Sequence, residues 1–160
     1  MRQRQEDRWR SEINRVQARR GAGHNKLRTY RTFKQDFEPE HYVRQLLSRA
    51  HRSALAKFRC GTAPLKIETG RYEGLPLESR TCFMCPGVVE SEQHVLMSCP
   101  LYEDLRADLF VKALSFFPDF NVMADDTRFQ LLLSNEHLVQ ATAKTCRLTL
   151  DRRFTFIYRQ

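Results

Sequence analysis

Four residues stand at a spacing that suits a metal ion: Cys82-x2-Cys85-x8-His94-x4-Cys99. Three thiolates and one imidazole form a soft-to-borderline donor set that matches tetrahedral Zn²⁺. The Cys-x2-Cys pair wraps one side of an ion as a tight turn, and His94 and Cys99 close the other side. Gly87, in Cys85-Pro86-Gly87, lets the chain reverse away from the ion. His94 should open a helical turn with Val95 and Leu96 packed beneath the site. Cys99 precedes Pro100, where helical geometry is already interrupted. Other chemistries compete for these side chains. A redox Cys-x2-Cys calls for a βαβ context, which the pattern lacks. A Cys/His nucleophile needs an oxyanion site and an orienting acid, and neither is evident. Coincidental burial of the cysteines is the bland alternative. A catalytic zinc keeps one position for water, whereas four protein ligands fill the shell. The expectation is one structural Zn²⁺ per chain and no catalytic residue.

The second signal is charge. The chain has 160 residues and a net charge of +8. Residues 1–60 carry 16 Lys/Arg against 6 Asp/Glu, and 13 of those 16 are arginine. The remaining 100 residues are close to neutral or slightly acidic. An arginine excess confined to one segment favours a polyanion partner, because the planar guanidinium pairs with phosphate and stacks on bases. Arg28, Arg31, Arg44, Arg49, Arg52 and Lys57 are the candidate nucleic-acid contacts, with Tyr30 or Phe83 as candidate stacking surfaces.

The elements that must carry these groups read as helices. Residues 2–20 form a polar helix with a thin stripe of Trp9, Ile13 and Val16, broken by Gly21-Ala22-Gly23. Leu27, Tyr30, Phe33 and Phe37 predict a helix over 26–37. Pro39 is placed to start another, running to about Phe58 with Val43, Leu46, Leu47, Ala50, Ala54 and Phe58 inward and Gly61 at its end. Residues 62–81 hold Pro64, Gly70, Gly74 and Pro76, which predicts an irregular connector with a short strand. Pro100 starts a further helix ended by Pro118, and Thr127–Ser134 a short one. Asn135 is placed as N-cap of a long terminal helix with the stripe Val139, Ala143, Cys146, Leu150, Phe154 and Ile157. Cys60 and Cys146 fall where plain burial explains them. The fold class expected is mainly α, a helical module with a small Cys-Cys-His-Cys zinc-knuckle-like insertion. It divides into a basic helical arm and Gly hinge (1–25) and one mostly helical zinc-containing domain (26–160, zinc site 82–99). The longest apolar runs are far shorter than the roughly 20 residues of a spanning helix. The charged start lacks the apolar stretch of a secretory signal, so an intracellular protein without a membrane partner is expected.

Several runs also resemble a known family. RSALAKFRCG (52–61), ETGRYEGLP (68–76) and CFMC…EQHVLMSCPLYEDLR (82–106), with KLRTYRTFK (26–34) at the upstream edge, resemble the C-terminal region of non-LTR (LINE-like) retrotransposon reverse transcriptases. The likeness spans roughly residues 26–156. It implies a Cys-Cys-His-Cys zinc module at Cys82, Cys85, His94 and Cys99. It also implies RNA or DNA as partner, a reverse-transcriptase polymerase domain as a protein partner, and a nuclear location. Eight residues separate Cys85 from His94, against four in the retroviral nucleocapsid knuckle, so the base-gripping face of that knuckle is not implied. Met123-Ala124-Asp125-Asp126 is similar to the metal-binding tetrad of reverse transcriptases, yet it precedes a helix start, where acidic residues complement the helix dipole. With polymerase and endonuclease domains missing from these residues, the expected function is non-catalytic binding of RNA or of single-stranded or target DNA. The alternatives are a zinc-ordered protein-interaction scaffold whose basic arm is only a nuclear-import signal, and an element fragment without function.

Overall fold

The computed structural model describes residues 2–18, 27–34 and 36–158. Among them the chain is mainly helical, with nine α-helices and no strand. They are α1 (Arg2–Ala18), α2 (Tyr30–Phe33), α3 (His41–Arg44), α4 (Arg49–Cys60), α5 (Lys66–Tyr72), α6 (Glu92–Met97), α7 (Glu103–Phe116), α8 (Asp125–Ser134) and α9 (Val139–Tyr158). The Gly21-Ala22-Gly23 hinge and the 25/26 boundary lie outside the described residues, as do the side chains of Ile13 and Val16. Trp9 is half-buried against Phe37, with ring centroids 5.7 Å apart.

The core lies between α4 and α9, which pack along one another, with α7 and α8 closing its sides and α6 its end. Leu55 and Phe58 of α4, Leu109 and Ala113 of α7, Leu132 and Leu133 of α8, and Val139, Ala143 and Cys146 of α9 are all buried. Each fully buried large side chain contributes about 1.5–3 kcal/mol.

Several elements depart from the sequence expectation, each through an identifiable contact. The helix predicted over 26–37 shrinks to α2. Leu27 adopts φ +71° and donates its N–H to the Cys60 carbonyl at 3.0 Å, so the segment lies across the end of α4. The helix predicted from Pro39 is broken in two. Its second half starts at the Ser48 cap, whose Oγ accepts from His51 N–H at 3.2 Å. Gln45, in the break, donates instead to the Glu136 carbonyl at 2.7 Å. Val43 and Leu46, expected inside, are 52% and 96% exposed, and Ala50 is exposed too. Gly61 does end α4, at φ +69°, with Thr62 N–H reaching back to the Lys57 carbonyl at 2.9 Å.

In place of a strand in 62–81 the chain forms α5, and only an isolated antiparallel bridge joins Thr81 to Val89. The helix is held from a distance: the Glu90 carboxylate accepts the Lys66 N–H, and the Glu90 carbonyl accepts the Ile67 N–H. Asn135 is not the N-cap of the terminal helix. It ends α8, its side chain accepts from His137 N–H at 2.9 Å, and α9 begins at Val139. The stripe of α9 also turns beyond Cys146. Phe154 is 58% exposed, while Thr149 and Arg153 face inward.

That inward arginine belongs to a pattern. Arg153 grips the buried Glu90 carboxylate through Nε at 2.9 Å and Nη2 at 2.7 Å. Arg59 is buried between Glu40 and the rings of Phe33 and Tyr42, 4.4 and 5.0 Å from its guanidinium carbon. Arg80 donates to the carbonyls of Leu75 and Ile67, and Arg106 to that of Cys99. Arginine serves here as an internal staple, because its five donors can satisfy a carboxylate or several carbonyls at once.

Candidate metal centre

Cys82, Cys85, His94 and Cys99 come together with their ligand atoms all within 4.8 Å of one another. They lie close enough to hold a metal ion. Cys82 and Cys85 sit on a turn in which Cys82 N–H donates to the Val88 carbonyl at 2.7 Å and Val88 N–H to the Cys85 carbonyl at 3.1 Å. Gly87 reverses that turn at φ +79°. His94 lies in the middle of α6 rather than at its opening. Ser91 caps that helix, its Oγ accepting from His94 N–H at 3.1 Å. Cys99 follows the helix, tied by its N–H to the His94 carbonyl at 2.9 Å. Val95 and Leu96, which follow His94 in α6, are buried in the core.

Two details suit the cluster to an ion. The Sγ atoms of Cys82 and Cys99 are 3.8 Å apart, and a tetrahedron with metal–sulfur bonds of about 2.3 Å has an edge of about 3.8 Å. His94 Nδ1 lies 3.2 Å from Ser98 Oγ, while its Nε2 is buried with no hydrogen-bond partner. A buried, unpartnered ring nitrogen on a histidine grouped with three cysteines, with the other nitrogen beside a hydroxyl, is what a metal-ligating histidine needs. Burial holds His94 below its usual pKa, which favours the neutral, ligating form. The Cys99 thiol is pushed up to about 12 by burial, so a thiolate there requires a cation beside it.

The rest of the molecule buttresses this loop. Glu90 precedes α6 and is clamped by Arg153 of α9, whose guanidinium carbon also lies 5.7 Å from the Phe83 ring centroid. Glu92 in α6 is buried and receives Arg28 Nη2 at 2.6 Å. Asp125 and Asp126 stand in the first turn of α8, Asp125 paired with Arg128 and Asp126 accepting from Gln93 at 2.6 Å. They occupy the helix start that their sequence context indicates.

The candidate nucleic-acid residues divide. Arg28 is committed to internal ion pairs with Glu92 and Glu68. Arg31 is half-buried, and its Nε and Nη2 lack partners. Arg44, Arg49 and Lys57 are exposed and form no ion pair among the described residues. Arg52 donates to the Gln45 carbonyl at 2.9 Å. Arg49 and Lys57 share a groove of about 370 Å³ between α4 and α9, with Ser53 between them and Arg147, paired with Asp151 at 2.7 Å, opposite. Sequence reasoning missed Arg147, because only the packing of α9 on α4 brings it there. Of the stacking candidates, Tyr30 is half-buried against Phe33, and Phe83 is 53% exposed.

No helix among the described residues is long and apolar enough to cross a membrane. No protein-family model matches the chain, and no curated protein or solved structure matches it.

Proposed function

We propose that the chain is a non-catalytic nucleic-acid-binding module, held in shape by one structural Zn²⁺ and gripping the phosphate backbone of RNA or DNA. The observation that carries this reading is the groove where Arg49 and Lys57 present exposed charges from one helix, with Arg147, paired with Asp151, facing them from another. Arg52 lines the adjoining cleft and Arg44 a separate one that also holds Asp36, Glu38 and Glu40, while Arg28 drops out of the contact set because its charge is already met inside the protein. Zinc is favoured by the three-sulfur, one-nitrogen donor set and the 3.8 Å sulfur separation. Bound there, Zn²⁺ would fix the loop that carries Glu90 and α6, coupling metal to folding. The resemblance to the C-terminal region of LINE-like reverse transcriptases supports the same reading, with a polymerase domain as partner and the nucleus as location.

Purified protein should contain about one zinc per chain, lost in the Cys82→Ser, Cys85→Ser double variant. Affinity for a labelled single strand should fall with salt at about −0.7 per phosphate neutralised, or about −3 for four contacts. Reversing Arg49 and Lys57 to glutamate should weaken all sequences alike, since phosphate contacts carry no base information. Binding indifferent to salt would overturn the proposal. Primer extension should be absent with any template, and incorporation that vanishes in the Asp125→Ala, Asp126→Ala variant would overturn the non-catalytic part. The scaffold reading draws on one observation, the exposed Phe83, Met84 and Val88 at the tip of the metal loop. A protein docking there would be untouched by the charge reversals.

A further inference from the structure

Beside the basic groove lies a second cleft of about 450 Å³, between α3 and α4, lined by Tyr42, Val43, Leu47, Arg49, Arg52, Ser53 and Ala56. The four α4 residues among these are spaced at i, i+3, i+4 and i+7, one face of the helix. Arg49 and Ser53 line both clefts, so they form a ridge with cations on one side and a largely apolar recess on the other. We propose that this recess takes one unpaired nucleobase of a strand whose phosphates lie in the neighbouring groove. The inference rests on the nucleic-acid reading and deepens it, by naming an unpaired strand as the ligand.

Three observations point this way. The break between α3 and α4 leaves Val43, which lines the recess, 52% exposed, with nothing among the described residues over it. Arg52 is held by its bond to the Gln45 carbonyl at 2.9 Å. A held guanidinium is a ready stacking surface for a base. Tyr42 is half-buried, with the Arg59 guanidinium 5.0 Å from its ring centroid, so the recess wall is fixed in place. In a duplex the bases are stacked inward and present only phosphates to such a groove. A single strand offers phosphates and free bases side by side, which matches a cationic groove adjoining an apolar recess.

The test compares three labelled ligands by fluorescence anisotropy with the metal-loaded protein at one salt concentration: oligo(dT), an abasic strand of equal length, and the oligo(dT)·oligo(dA) duplex. Oligo(dT) should bind about five- to tenfold more tightly than the abasic strand, with the same salt slope for both. Ala56→Trp, which fills the recess from the half-buried face of α4, should bring oligo(dT) down to the abasic level. Arg49→Glu should weaken both strands. If Ala56→Trp loses its metal or helicity, the wild-type comparison decides alone. Equal binding of oligo(dT) and the abasic strand, or tighter binding of the duplex, overturns the base pocket and leaves the phosphate reading standing. Absence of binding to all three overturns both.

Discussion

Replacing Arg153 by methionine isolates the clamp between the terminal helix and the metal-bearing loop. Glu90 is 1% exposed, and Arg153 supplies two of its carboxylate's hydrogen bonds, at 2.9 and 2.7 Å. Without them the carboxylate stays buried with the Lys66 N–H as its one remaining donor among the described residues. Removing one partner of a buried ion pair costs about 3–5 kcal/mol, most of it the desolvation of the charge left behind. For a chain of this length that lowers Tm by roughly 6–20 °C. The double variant Arg153→Met, Glu90→Leu buries no orphaned charge. It should recover most of the loss, leaving about 1–2 kcal/mol for the lost Lys66 acceptor and imperfect packing. The assay is urea unfolding followed by circular dichroism on metal-loaded protein, with metal retention measured in parallel. The single variant should also lose metal at lower chelator concentration, because Glu90 stands four residues before His94 on the same loop. A single variant within 1 kcal/mol of wild type, or a double variant less stable than the single one, would refute the reasoning.

Gly70→Ala should destabilise by about 1–3 kcal/mol in the same assay, because the new Cβ would stand 2.7 Å from Arg80 Cγ in a buried stem that cannot swing away. Arg152, hydrogen-bonded to Asp104, holds that carboxyl below its usual range. A depressed folded-state value stabilises above the unfolded value, about 3.9, and that contribution is lost as pH falls through the folded one. Unfolding midpoints of wild type and Asp104→Asn should therefore differ at neutral pH and converge in acid, and a constant difference would count against the pair. With metal chelated, a maleimide should label half-exposed Cys85 early and Cys146 last, since burial of Cys146 pushes its thiol up and leaves no access without unfolding. Early labelling of Cys146 would contradict its place in the core.

Much of the site was legible because its ligands are local. The spacing of Cys82, Cys85, His94 and Cys99 and the glycine reversal at 87 need no knowledge of distant chain, and the burial of Val95 and Leu96 followed from the same short stretch. The helical class was legible for the same reason, through the proline boundaries of the helix between Pro100 and Pro118 and the first half of the α9 stripe. What escaped was set by partners far away in sequence. Glu90 makes a helix of Lys66–Tyr72 and draws Arg153 inward, so the α9 stripe turns where periodicity alone continues to Phe154. Gln45 bonds Glu136 and the chain breaks before Ser48, a cap residue that the apolar count through Val43 and Leu46 had overrun. Arginine counting met a similar limit: sequence cannot distinguish an arginine facing solvent, such as Arg49, from one answering a buried carboxylate, such as Arg28.

The arginine staples also set the order in which the chain can acquire its structure. The metal ligands close a loop of 17 residues between Cys82 and Cys99, whereas Arg153–Glu90 and Arg28–Glu92 close loops of 63 and 64. Closure entropy grows with loop length, and contacts between distant segments repay that entropy only once the intervening chain is placed. The metal turn therefore belongs to the early, local phase of folding, and the Arg153–Glu90 and Arg28–Glu92 pairs to the late one. Interactions formed after the transition state govern escape from the native state rather than arrival at it. Stripping the metal should thus slow refolding, while cutting the Arg153 staple should leave refolding nearly unchanged and hasten unfolding.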